Sequence, residues 1–283
     1  MRAVSLITDK NFGLPNNTSN TAVYILLGAE PTEITLDKNL LTLFMSMIRN
    51  VDTIENNILN RQLAMYDQKE ALFINRVEKV LKKYNFMSPY FYIQNPVTKY
   101  QWKREMNHKI GLYWANKCQE DKYEKESLKY LEIQDKPLKL PHNVWKSVKN
   151  NKRDVKAGEI KARLLTQTYM VQAKRAKFDK KEKPSCQLCG HVSEDLEHFI
   201  LQCKQLTDVR NKYLKKIKDI IGENEYKRMI QEKQLMQLIM DCTSRRVKCD
   251  KKIQDRVESI TRHMCYDLHL NRSRMIDRRK IYR

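Results

Sequence analysis

The chain has 283 residues, 41% of them hydrophobic, with 55 Lys and Arg against 34 Asp and Glu, a formal net charge of +21. That surplus repels itself unless it meets a polyanion, so nucleic acid is the expected partner and a lysine-rich solvated surface the alternative. No run is long and apolar enough to span a membrane and no secretory pattern opens the chain, which points to an intracellular protein that is not secreted; six glycines and seven prolines leave little turn chemistry for sheets, so the expected fold is all-α. Residues 1–18 read as irregular, punctuated by Gly13 and Pro15. Ser19 is positioned to cap a short apolar helix, Ala22 to Leu27, which Gly28 closes. A second helix is expected from about Asp37 through Leu41, Phe44, Met47 and Ile48, apolar around most of its girth and therefore buried. Thr53 to Met65 carries Ile54, Ile58, Leu59 and Leu63 on one face, and residues 68–84 repeat the pattern until Ser88-Pro89 stops it.

From Thr98 the stripe Trp102, Met106, Ile110 and Tyr113 falls within roughly 80° of arc, as a core-facing helix requires. Charged residues 119–136 continue through Leu128 and Leu131, and Pro137 and Pro141 mark a break. A helix is expected over Asp154 to Phe178, with Lys156, Ile160, Leu164 and Val171 on one side and a basic end at Lys174, Arg175 and Lys177. Beyond Cys203, a stripe from Leu206 to Ile220 ends at Gly222, another helix covers 225–240, and the last carries Ile253, Val257, Ile260, Met264 and Leu268 before a basic tail from Arg272 expected to fray. The chain thus divides into a helical region over 1–136, a linker with a basic helix over 137–183, a metal knuckle over 184–205 and C-terminal helices over 206–283. In sum, a multi-helix array carries one small Cys3His zinc knuckle inserted between helices.

That knuckle is the run from Cys186 to Cys203, in which ligand-type residues follow C-x2-C-x8-H-x4-C. Two thiols two residues apart grip one ion from a tight turn, for which Gly190 is suited, and His198 with Cys203 completes a tetrahedron of the closed structural kind. On a straight helix His198 and Cys203 lie about 140° apart, so the helix must end or distort near Gln202. His191 is a rival ligand, awkwardly close to Cys189. Glu194, Asp195 and Glu197 offer oxygens, but three thiols favour a soft ion, so one structural Zn2+ held by Cys186, Cys189, His198 and Cys203 is expected. The competing readings are unliganded core cysteines or a Cys186–Cys189 disulfide. Cys118, Cys242, Cys249 and Cys265 have no ligand companions and read as structural.

The run Glu159 to Tyr169, then Arg175-Ala176-Lys177-Phe178, then the Cys/His pattern enclosing Glu194-Asp195-Leu196-Glu197-His198-Phe199-Ile200-Leu201, resembles the C-terminal zinc-binding region of non-LTR retrotransposon reverse transcriptases, jockey-like and chicken-repeat-like elements above all. Gly13-Leu14-Pro15 with Ala22 to Ala29 is similar to the stretch after the polymerase palm, and Arg61 to Met65 and Cys265 to His269 extend the likeness over nearly the whole chain. The resemblance implies a nuclear protein that binds element RNA or target DNA and partners a polymerase domain. The chemistry itself is missing: no Asp-Asp pair exists to hold two metal ions, and no endonuclease constellation is recognisable. The expectation is a truncated, non-catalytic accessory region whose knuckle orients Lys174, Arg175, Lys177, Lys204 and Arg210 toward phosphates, with Phe178 or Phe199 either stacking on a base or filling the core. Two rivals remain: a helical protein-interaction module in which zinc is only scaffold, and a hidden nuclease, opposed by the absence of any Pro after Cys203.

Overall fold

A computed structural model describes residues 13–65, 72–133, 138, 140–243 and 250–281, the side chains of the last three excepted. Among the described residues every regular element is helical, as the scarcity of turn residues requires. Two compact units share the chain: one joins the residues up to Ala29 with Glu120 onward, and the other is Glu30–Gln119.

The Glu30–Gln119 unit contains α2 (Thr32–Arg49), α3 (Ile54–Ala64), α4 (Phe73–Lys83), α5 (Pro89–Gln94) and most of α6 (Lys99–Glu124). The second helix starts at Thr32, just after Pro31, rather than at Asp37. Ser88-Pro89 starts a helix instead of only ending one, because Ser88 accepts from the Phe91 N–H and Pro89 sits where no amide partner is needed. Thr98 and Gln101 form a reciprocal capping box at the head of α6. Trp102, Met106 and Ile110 are buried as the stripe predicts, and Trp102 packs against Phe86 and Tyr92 at ring-centroid distances of 5.2 and 5.1 Å. Residues 66–71, where part of the expected 68–84 helix falls, lie outside the described residues.

The other unit holds α1 (Asn20–Leu27), α7 (Asn143–Lys146), α8 (Lys152–Leu165), α9 (Gln172–Phe178), α10 (Thr207–Ile221), α11 (Glu223–Gln231), α12 (Leu235–Met240) and α13 (Lys251–Ile281). Ser19 precedes α1 but its hydroxyl makes no cap bond. Gly28 does close α1, in a left-handed conformation (φ 64°), and a side chain there would meet the backbone of Leu140 and Pro141. The His142 N–H donates to Leu26 O at 3.0 Å. The Pro141 segment, expected as part of a linker, is therefore stitched onto α1, and the 136/137 division falls inside this unit.

α13 runs through the middle of the unit's polar core. Arg262 is fully buried and spends its donors on Asp154 (3.0 and 3.2 Å), Ser147 Oγ (2.8 Å) and the Val144 and Ser147 carbonyls, tying α13 to α8 and α7. One helical turn earlier Lys161 Nζ meets Glu258 (2.7 Å) and Thr261 (2.6 Å), all buried. Cationic and anionic groups removed from water survive only when paired, as these are, although Glu258 Oε1 is left without a hydrogen-bond partner. An apolar cluster of Ile217, Met229, Leu238, Cys242 and Val257 packs beside it. Cys118, Cys242 and Cys265 are buried and form no disulfide; Cys249 lies outside the described residues.

Three expected helices differ. The Asp154–Phe178 helix is two, because Thr166 turns its hydroxyl back onto Ala162 O (2.9 Å) and Gln167 adopts φ 53°. The 225–240 helix is also two, broken at Lys233 (φ 56°). The tail from Arg272 does not fray: α13 continues to Ile281, and Arg272 is buried.

Candidate metal centre

Cys186 and Cys189 lie on a tight turn in which the Gly190 N–H donates to Cys186 O (2.9 Å) and the Cys186 N–H to His191 O (2.8 Å). Gly190 has φ 75°, the left-handed geometry that a side chain resists. The second half begins at Asp195, whose Oδ1 accepts from the His198 N–H at 2.7 Å.

His198–Gln202 is one turn of π-helix, and the Cys203 N–H donates to His198 O at 2.7 Å across five residues. At about 4.4 residues per turn, five residues come round to within roughly 50° of the start, against about 140° on an α-helix. The distortion required by the ligand spacing near Gln202 is thus this turn. It places His198 and Cys203 on one side.

The four donor atoms of Cys186, Cys189, His198 and Cys203 all lie within 4.8 Å of one another. Cys186 Sγ is 3.9 Å from Cys203 Sγ, and Cys189 Sγ is 3.3 Å from His198 Nε2. A tetrahedral ion with metal–sulfur bonds of about 2.3 Å needs sulfur–sulfur edges of about 3.8 Å. The group can hold a metal ion. No disulfide joins Cys186 to Cys189. His191 stays outside the group: its Nδ1 contacts Ser193, and its ring stacks on His198 at 4.4 Å.

Burial, with His191 nearby, holds the His198 imidazole below its ordinary value, which favours the neutral form that binds metals. The hydrogen bond between Cys203 and Cys186 raises the Cys186 thiol and lowers that of Cys203, and a metal ion binding there would displace the thiol protons.

Around the group sits a shell that the sequence did not reveal. Glu194 is buried, accepts from the Gln172 N–H (2.9 Å), and is clamped by Arg272 at 2.8 and 2.6 Å. Cys186 Sγ lies 3.8 Å from the same carboxylate. The Arg272 guanidinium also lies 5.9 Å from the Phe199 ring, on whose plane Tyr169 stacks at 5.3 Å.

The five cations expected to face phosphates divide. Arg210 is a correction: it is buried, its Nε donating to Ile200 O and its Nη2 to Cys203 O, both at 2.8 Å, so it braces the π turn and offers nothing to a ligand. Lys174 is half-buried and bonds Gln167 O. Arg175, Lys177 and Lys204 are exposed, as are Lys180, Lys181 and Lys183 leading into the knuckle. Phe199 is 0% exposed and belongs to the core, whereas Phe178 is 71% exposed. No known protein family matches this chain, and no curated sequence or solved structure matches it significantly.

Proposed function

We propose that this chain is a non-catalytic nucleic-acid-binding region with one structural zinc ion, of the kind found behind the polymerase of non-LTR retrotransposon reverse transcriptases. One observation carries the reading: Arg175, Lys177, Lys180, Lys181, Lys183 and Lys204 stand exposed on the segments that enter and leave a compact Cys3His group. Three thiolates and an imidazole form a donor set that suits zinc rather than harder ions. Zinc so ligated carries a net charge of about −1, beside which Arg272 and Arg210 are favourably placed. The ion is scaffold here: it pins the turn and the π turn together, so the basic segments on either side keep a fixed spacing. A polymerase domain is the natural neighbour, and the nucleus the natural location.

Phosphate contacts by these cations predict affinity that falls steeply with salt. Metal analysis should find one zinc per chain, and Cys203→Ser should abolish it. Absence of oligonucleotide binding by zinc-loaded protein at low salt would refute the proposal.

A second reading has its own observation. On α2, Leu36 and Leu43 are 64% and 48% exposed and lie seven residues apart, hence on one face, and α3 adds exposed Ile54 and Ile58. In a protein-interaction module this stripe is the docking face; salt-insensitive complex formation without nucleic-acid affinity would favour that function.

A further inference from the structure

Two clefts meet at Tyr130, beside the knuckle. The first, about 430 Å³, is lined by Tyr130, Lys174, Lys177 and Phe178, with Asp195 and Glu197 among its walls. The second, about 610 Å³, shares Lys129, Tyr130 and Glu197 with the first and continues past Leu201, Ile230 and Met236. Sharing those residues, the two clefts adjoin as one groove, with the Phe178 ring lining its first part and the Tyr130 ring lining both.

Resting on the nucleic-acid reading, we propose that this groove takes a single-stranded segment of nucleic acid, with unpaired bases stacking on Phe178 and Tyr130 and amino-bearing bases preferred. Three features carry it. Phe178 exposes most of its ring at the end of a basic helix, where an unused aromatic side chain would be poorly placed in water. Base faces are open to such a ring only when the bases are unpaired, since a duplex hides them in its stack. Lys129, Lys174 and Lys177 supply cations for the backbone of the same strand. Burial and the neighbouring Lys177 both hold the Lys174 ammonium below its ordinary value, a cost that a phosphate beside it offsets.

The carboxylates narrow the ligand further. Asp195 and Glu197 line the groove as acceptors; cytosine, adenine and guanine present an exocyclic amino group with two N–H donors, whereas uracil presents only its N3–H, flanked by two carbonyl oxygens that a carboxylate repels. A groove of lysines alone would be indifferent to the base.

The test uses the full zinc-loaded chain with fluorescent oligonucleotides, read by anisotropy at low salt. Single-stranded oligocytidine should bind more tightly than oligouridine and more tightly than a duplex of equal length. Phe178→Ala should weaken single-strand binding about tenfold and leave duplex binding unchanged, while Phe178→Trp retains the wild-type affinity. Exposure of Phe178 makes either variant safe for folding, and retention of one zinc per chain checks it. Unchanged single-strand affinity in Phe178→Ala, with nucleic acid still bound, would overturn the groove and leave the proposed function standing. Failure of the wild-type chain to bind any of the oligonucleotides would remove both.

Discussion

Replacing Arg272 by Met should unfasten the knuckle from α13. In the native chain the buried Glu194 carboxylate accepts two bonds from Arg272, at 2.8 and 2.6 Å, and one from the Gln172 N–H. The substitution leaves a carboxylate that is 1% exposed with the Gln172 N–H as its one strong donor, the Cys186 sulfur standing 3.8 Å away. Stranding one member of a buried ion pair costs about 3–5 kcal/mol. Counting the same loss as two charge-assisted hydrogen bonds, at ~1.5–3 kcal/mol each, gives a similar figure. Arg272→Lys keeps the charge without the fork and should cost less, about 1.5–3 kcal/mol. Adding Glu194→Gln to Arg272→Met removes the stranded charge, so the double variant should be more stable than the two single losses added together, by about 2 kcal/mol. Urea unfolding followed by far-ultraviolet circular dichroism, at one fixed free-zinc concentration, measures all four proteins comparably. A loss under ~1 kcal/mol for Arg272→Met, or strict additivity in the double variant, would refute the clamp.

Arg210→Ala should speed zinc loss, because the Ile200 and Cys203 carbonyls lose their donors at ~1–3 kcal/mol each, yet leave the salt dependence of oligonucleotide binding unchanged. Lys177→Ala should do the reverse, lowering the salt slope by about 1 with no effect on zinc; a chelator-competition assay beside a salt titration separates them. Gly28→Ala should lower stability by at least ~1 kcal/mol despite alanine's helix propensity, through the left-handed φ and the Leu140–Pro141 backbone; an unchanged melting temperature would contradict this. For His142→Asn the effect depends on pH. Burial would lower His142, but the charge of Asp241 3.0 Å away outweighs it and raises His142 above 6.5. Its contribution is therefore full below 6.5 and lost as the pH rises through the raised value. Asp241, despite burial, is held below 3.8 by His142, so its share is lost only as the pH falls through that lowered value. The stability difference between wild type and variant should peak between about pH 4 and 6.5 and narrow toward alkaline pH. A gap that widens there would rule the pairing out.

The metal centre was largely legible because its ligands are close in sequence and their chemistry is distinctive. Even the awkward spacing of His198 and Cys203 forecast a distortion near Gln202, and the π turn lies there. Arg210 was misjudged for the opposite reason. A cation among cations reads as a phosphate contact, and only the tertiary path of α10 shows that its donors reach Ile200 and Cys203. The Arg272 tail looked frayed because local charge density argues against burial, while its partner Glu194 lies 78 residues away. The break after Leu165 had no Gly or Pro to announce it; Gln167 takes the left-handed conformation without the usual signal. Cores built from periodic stripes, such as Trp102, Met106 and Ile110, were read correctly because period alone decides which face is buried.

The 31-residue α13 touches both ends of this chemistry. Glu258, Thr261 and Arg262 engage the buried charges of α8, and Arg272 grips the knuckle about 15 Å further along the same rod. A helix is stiff along its axis, so the knuckle cannot swing away without levering on the core pairs, nor can those pairs part without pulling at the knuckle. Knuckle and core should therefore open as one cooperative unit. Chelation should appear as a downward shift of the unit's single melting transition, not as a separate early step.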